Sequence, residues 1–256
     1  MQTPTPFDLT DKRVWVAGHR GMVGSALVRR LPAEGCELLT VDRDRLDLRD
    51  QRAVDGWIRD ARPDAIVVAA GTVGGIEANR TRPAEFLYDN IAIASNIIRS
   101  AAETGVGKLM YLGSSCIYPR LADQPVAEDS LLTGPFEATN EWYAVAKVAG
   151  VKLCQAYRQQ YGHDFIAVVP TNLYGPGDSF DLASSHVISA LLRKIHTARA
   201  EGGSVEVWGT GKPRREFMYV DDAADALVFL MKAYSEPEIV NIAGGEEVSI
   251  AGLAAL

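Results

Sequence analysis

Three cysteines in 256 residues, Cys36, Cys116 and Cys154, are too few and too scattered to frame a disulfide scaffold. An odd, sparse set of thiols fits a reducing compartment, so the cytoplasm is the expected location. Histidines number four, and no Cys/His cluster has metal-ligand spacing, so no metal is expected. No apolar run approaches the roughly 20 residues that span a bilayer. The opening MQTPTPFDLTDKR lacks the apolar centre of a signal peptide. Positive charge is not in excess: 26 Lys and Arg against 33 Asp and Glu leave a formal net charge of −7. With the basic residues scattered along the chain, neither nucleic acid nor an anionic membrane is an expected partner. Internal repeats, low-complexity tracts and linkers are absent too.

What is there is ordinary for one large globular domain or one and a half, with 47% hydrophobic and 23% charged residues. Such a chain buries a sizeable core without disulfides or metals. RVWVAG, ELLTVD, DAIVVAAG, KLMYLGSS and DFIAVVPT read as short buried strands. Between them, MVGSALVRRL, DNIAIASNIIRSAAETG and YAVAKVAGVKLCQAYRQQYG carry helical periodicity. Strict alternation of this kind predicts a doubly wound parallel sheet with helices on both faces. After Pro176 the pattern loosens: SSHVISALLRKIHTAR reads as a helix, SVEVW as a strand, and EFMYVDDAADALVFLMKAY as a strand running into a helix. The expected division is a nucleotide-binding domain over 1–175, completed by a segment near 205–242, and a smaller lobe over 176–256.

Between the first strand and the first helix lies Gly18-His19-Arg20-Gly21-Met22-Val23-Gly24. Glycines here permit a tight turn and let backbone approach a pyrophosphate seated on the helix N-terminus. A dinucleotide is therefore the expected cofactor, with Gly18, Gly21, Met22, Val23 and Gly24 lining its phosphates. At the adenosine ribose the residues point two ways. Asp42, near the end of the second strand, suits the 2′-hydroxyl of NAD(H), whereas Arg20 and Arg43 suit the 2′-phosphate of NADP(H). NADP(H) is the expectation, NAD(H) the alternative that Asp42 keeps open. Asp47 is a further candidate, at the adenine.

Tyr143-Ala144-Val145-Ala146-Lys147 places a phenol and an ammonium one helical turn apart on one face. A Tyr exchanging a proton with a carbonyl oxygen near neutral pH needs its pKa lowered from about 10, which a neighbouring ammonium favours. Ser114, at the end of the KLMYL strand, offers that oxygen a second hydrogen bond. With the glycine loop upstream, this order of motifs resembles the extended short-chain dehydrogenase/reductase superfamily over nearly the whole chain.

Further segments narrow the resemblance. GHRGMVGSA, VGGI at Val73–Ile76, LGSSCIYP at Leu112–Pro119, PTNLYGPGD at Pro170–Asp178, SHVISALL at Ser185–Leu192 and WGTGKPRREF at Trp208–Phe217 occur in the order seen in the GDP-L-fucose synthase family. The resemblance implies a Rossmann-type fold and an NADPH-dependent 3,5-epimerisation and 4-reduction of a GDP-4-keto-6-deoxy sugar. It implies that Cys116 and His186 exchange protons at C3 and C5, that Tyr143 protonates the C4 oxygen, and that Lys147 and Ser114 hold the geometry, Lys147 also touching the cofactor. Asn172, Val187, Trp208 and Arg215 are implied for the GDP part. A homodimer is implied through the helices over 89–104 and 143–161.

The chain also departs from the family pattern. Asp42 stands where an uncharged residue is expected, and Lys194 where an Arg is expected. Because family members continue for several elements beyond SIAGLAAL, the resemblance implies a shortened C-terminal lobe. Other readings stay open on the residues: a related GDP-4-ketosugar epimerase/reductase, or a non-catalytic dinucleotide-binding sensor or assembly subunit. A 4,6-dehydratase would place an Asp-Glu pair where Ser115-Cys116 stand, and a simple 4-epimerase has no need of Cys116 and His186.

Overall fold

A computed structural model describes residues 7–182, 185–207 and 209–256. The first half runs β1 (Arg13–Ala17), α1 (Met22–Arg30), β2 (Glu37–Leu39), α2 (Gln51–Ala61), β3 (Ala65–Val68), α3 (Ile76–Thr81), α4 (Pro83–Thr104) and β4 (Lys108–Leu112). The second half runs α5 (Glu141–Tyr161), β5 (Phe165–Pro170), β6 (Asn172–Tyr174), α6 (Val187–Glu201), β7 (Arg214–Tyr219), α7 (Val220–Ala233), β8 (Val240–Ile242), β9 (Glu247–Ser249) and α8 (Ile250–Ala255).

Strands β2-β1-β3-β4-β5-β8 form one sheet in that order, each pair parallel. Since β1 takes β2 on one side and β3 on the other, the winding reverses between β1 and β3. Ligands of open α/β sheets bind in the crevice at such a reversal. Side chains alternate across the sheet, because successive Cβ atoms point to opposite faces. Trp15, Ile66, Tyr111 and Phe165 pack under α2, α4 and α5. Val14, Val67, Met110 and Ile166 pack under α1 and α7. Both faces being covered explains why these strands read as continuous apolar runs.

Element ends have local causes. The Asp50 carboxylate accepts from the N–H groups of Arg52 and Ala53, satisfying donors that open α2. Pro83 starts α4 six residues earlier than the apolar period suggests, since its fixed φ and missing N–H suit a first helical turn.

A second, small sheet has the order β6-β7-β9, with β6 and β7 parallel and β9 antiparallel. The strand expected at SVEVW does not form: residues 203–207 carry no regular structure. Alternation makes a strand only where a sheet edge takes up its backbone. Here the carbonyl of Glu206 instead accepts from the Lys194 ammonium at 3.1 Å. Trp208 lies outside the described residues.

Candidate active site

The crevice starts at Gly18, whose φ of +91° is open to glycine. A Cβ on it would stand 2.6 Å from the Ala70 nitrogen, so the end of β1 lies directly against the chain leaving β3. Gly24, inside α1, is equally constrained, because its Cβ would stand 2.1 Å from the carbonyl oxygen of Gly18. The helix thus begins pressed onto the loop. Gly21 is its N-cap and brings no side-chain acceptor, and no acidic residue stands in the first turn of Met22 and Val23. The first N–H groups of α1 are therefore left to an anion, as a dinucleotide pyrophosphate requires. The loop fits that group.

Beside the loop, the Asp42 carboxylate lies 3.3 Å from Arg20 Nε and 3.3 Å from His19 Nε2. It sits three residues past the end of β2, which closes at Leu39. The pairing of His19 was not legible from spacing. Asp47 is held by Arg49 through both carboxylate oxygens. This guanidinium, with the Arg49 backbone N–H, takes the Asp47 carboxyl down to about 2. Arg43 is exposed nearby and lowers it further.

Ser114, Cys116, Tyr143 and Lys147 come together at the C-terminal end of β4. Ser114 follows the strand, Cys116 sits in a 3-10 turn over Ser115–Ile117, and α5 carries Tyr143 and Lys147. Lys147 is buried, donates to the carbonyl of Leu112 at 2.9 Å, and lies 4.9 Å from the Tyr111 ring centroid and 5.7 Å from that of Tyr143. Burial lowers its pKa to about 8. Burial pushes the Cys116 thiol up to about 11, opposed by a hydrogen bond from Ser114 and by the Lys147 charge.

The Tyr143 phenol departs from expectation. Burial, with Cys116 beside it, raises its pKa well above the ordinary value, and the Ser114 hydrogen bond only partly offsets this. Burial thus favours the protonated phenol.

His186 stands apart from this cluster, half-exposed as the N-cap of α6, with Nδ1 3.5 Å from Asp178 Oδ1. Val187 opens the same helix. Asn172 is exposed on β6, its amide donating to the Glu216 carbonyl at 3.1 Å. Arg215 is exposed on β7, and its guanidinium donates to the carbonyl of Arg214.

Two residues of α4 were missed. Asn90 accepts from the Thr72 N–H at 3.1 Å and donates to the Thr72 carbonyl at 2.9 Å. Asp89 accepts from the Thr72 hydroxyl at 3.0 Å and from Arg49 at 3.3 Å. Together they tie the loop after β3 to the crevice, where a Cβ on Gly71 would lie 3.8 Å from Lys147 Nζ. The available signal was two adjacent polar residues in an otherwise apolar helical stripe. Among the described residues no group of His, Cys, Asp or Glu is gathered that could hold a metal, and no helix is long and apolar enough to cross a membrane.

Known proteins resemble this chain along nearly its whole length. The profile of the NAD dependent epimerase/dehydratase family matches residues 14–243. The GDP-L-fucose synthase of Sinorhizobium fredii is 56% identical over 251 residues, covering 97% of this chain and 80% of that protein. A GDP-L-fucose synthetase of Naegleria fowleri, solved bound to NADP, superposes with a TM-score of 0.89 at 31% identity. The match covers 98% of this chain and 78% of that one. A GDP-6-OMe-4-keto-L-xylo-heptose reductase of Campylobacter jejuni gives a TM-score of 0.89 at 32% identity, covering 98% and 83%.

Proposed function

The chain belongs to the NAD dependent epimerase/dehydratase family, and on that premise we propose that it is a GDP-L-fucose synthase. It converts GDP-4-keto-6-deoxy-D-mannose to GDP-L-fucose by 3,5-epimerisation and NADPH-dependent 4-reduction. The observation that carries this reading is the gathering of Ser114, Cys116, Tyr143 and Lys147 at one strand end beside the Gly18–Gly24 loop. A reductase needs Ser114, Tyr143 and Lys147; the thiol among them serves a second chemistry.

The loop with Arg20, Arg43, Asp47 and Lys147 would hold the cofactor, which supplies a hydride to C4 when bound. A C4 ketone acidifies the protons at C3 and C5. Cys116, as thiolate, takes one of them and becomes the thiol, and His186 returns a proton to the same carbon from the opposite face. The thiolate is reached through Ser114 and Lys147, the two groups that lower the pKa of Cys116. Tyr143 then gives its phenolic proton to the C4 oxygen, which its raised pKa favours. Asn172, Val187, Trp208 and Arg215 would meet the GDP portion.

In this reading residues 1–175 form most of the cofactor domain and 176–256 most of the substrate lobe. A homodimer through α4 and α5 is supported by apolar side chains left outside on those helices, Tyr88, Trp142 and Val145. A cytoplasmic location is supported by three free thiols.

The test is to mix the purified chain with NADPH and GDP-4-keto-6-deoxy-D-mannose, follow nicotinamide absorbance, and identify the product by NMR. GDP-L-fucose is expected. Cofactor binding without consumption would favour a sensor, and turnover confined to a heptose 4-ketosugar would move the chain to a related reductase.

A further inference from the structure

We propose that Asp178 is a positioning residue for His186, holding the imidazole by Nδ1–H so that Nε2 faces the sugar. The inference deepens the reading of His186 as the group that returns a proton to the epimerised carbon.

Asp178 lies in the loop after β6, eight residues before His186. Its side chain is 5% exposed, whereas that of His186 is 48% exposed. A carboxylate withdrawn from water to that extent needs partners on every side, and it has them. Oδ1 accepts the Ser179 N–H at 2.8 Å and lies 3.5 Å from His186 Nδ1. Oδ2 accepts the hydroxyl of Ser189, itself buried one turn into α6. The carboxylate is therefore pinned between its own loop and the helix that carries the histidine. Burial pushes its pKa up, but the hydrogen bonds from His186, Ser189 and Ser179 outweigh burial and hold it below the ordinary carboxylate range.

An ionised carboxylate can only accept. Facing Nδ1, it selects the ring form that carries hydrogen there. His186 is the N-cap of α6, yet its side chain makes no capping hydrogen bond, so the ring is committed to Asp178 rather than to the helix. In the step, the Nε2–H bond breaks as the enolate electron pair forms the new C–H bond. The ring is left neutral, with its remaining proton on Nδ1 toward Asp178, and the carboxylate gains no proton.

Nitrogen NMR of histidine-labelled protein, with His186→Asn used for assignment, reads the tautomer without substrate. A protonated Nδ1 and a bare Nε2 are expected in the neutral ring, and Asp178→Asn should mix the two tautomers. With GDP-4-keto-6-deoxy-D-mannose, Asp178→Asn should slow inversion at C3 or C5, read as deuterium in the epimerised product, by up to about 10⁴-fold, the scale of losing an orienting carboxylate. The KM for NADPH and the direct 4-reduction should stay close to wild type. Ser189→Ala, which loosens the carboxylate without removing it, should give a smaller loss of the same kind. An Nε2–H tautomer in the wild type would overturn the proposal. So would exchange and reduction falling in equal proportion in Asp178→Asn, the sign of a purely structural role. If the wild type shows correct tautomer but no reaction with this sugar, the functional reading fails and the Asp178–His186 pairing stands.

Discussion

Arg20 Nε and Asp42 Oδ1 lie 3.3 Å apart, so this guanidinium already has an anion beside it. A ribose 2′-phosphate has to share Arg20 with Asp42 and also bear the repulsion of that carboxylate. Asp42→Asn removes both costs. Exposed pairs of this kind are worth up to about 1 kcal/mol, roughly a fivefold effect. The ratio of kcat/KM for NADPH to that for NADH should rise by about that factor, with Tm unchanged. An unaltered ratio would mean that Asp42 has no part in cofactor choice.

The two chemistries should separate by mutation. Tyr143→Phe removes the proton donor for the C4 oxygen, and 4-reduction should fall by about 10²–10⁴-fold while slow deuterium exchange at C3 or C5 persists. Cys116→Ser should do the reverse, suppressing exchange while some direct reduction survives and yields an unepimerised sugar. NMR of the products distinguishes the two. Equal loss of both steps in Cys116→Ser would remove the thiol from the base role.

Lys147 links the site to stability. Its folded pKa of about 8 is below its ordinary 10.5. Below about pH 8 the ammonium is charged in both states, and its burial costs stability in full. Between about 8 and 10.5 only the unfolded chain keeps the proton, so unfolding takes up a proton and stability rises with pH. Lys147→Met should abolish that rise, which denaturant titrations between pH 7 and about 10 would detect. A parallel pH dependence in both proteins would show that Lys147 titrates at its ordinary value.

Gly150 marks a close approach under α5. A Cβ there would stand 2.3 Å from Cζ of Tyr111, a ring that is buried and lies beneath Lys147 Nζ. Gly150→Ala should cost about 1–3 kcal/mol through overpacking, against a gain in helix propensity of about 1 kcal/mol. It should lower kcat as well, by displacing Tyr111 and the ammonium above it. Thermal unfolding and steady-state kinetics on one variant test both, and unchanged values in both would place the ring's freedom of movement above the steric estimate.

The alternation that predicts a parallel sheet was legible because β1, β3, β4 and β5 are buried on both faces and the helices between them on one. The shared face of Tyr143 and Lys147 was legible for a similar reason: they are four residues apart, so one helical turn aligns them. The strand expected at SVEVW was not legible, since Val205 and Val207 alternate correctly but their backbone meets no sheet edge. Asn90 and Asp89 escaped because their partner, Thr72, is on a different element.

The sequence by itself determined the alternation of strands and helices from β1 to β5, the glycine loop at the end of β1, and the phenol and ammonium of α5. All of these depend on spacings of a few residues, which backbone geometry converts directly into shared faces and turns. Only the tertiary structure decided which charges meet and which groups are dry: Arg20 and His19 on Asp42, Asp178 on His186, and a Tyr143 phenol whose pKa burial raises. Those outcomes depend on burial and on contacts between separate elements, and electrostatic free energies are set by what surrounds a group in space rather than by its neighbours in the chain.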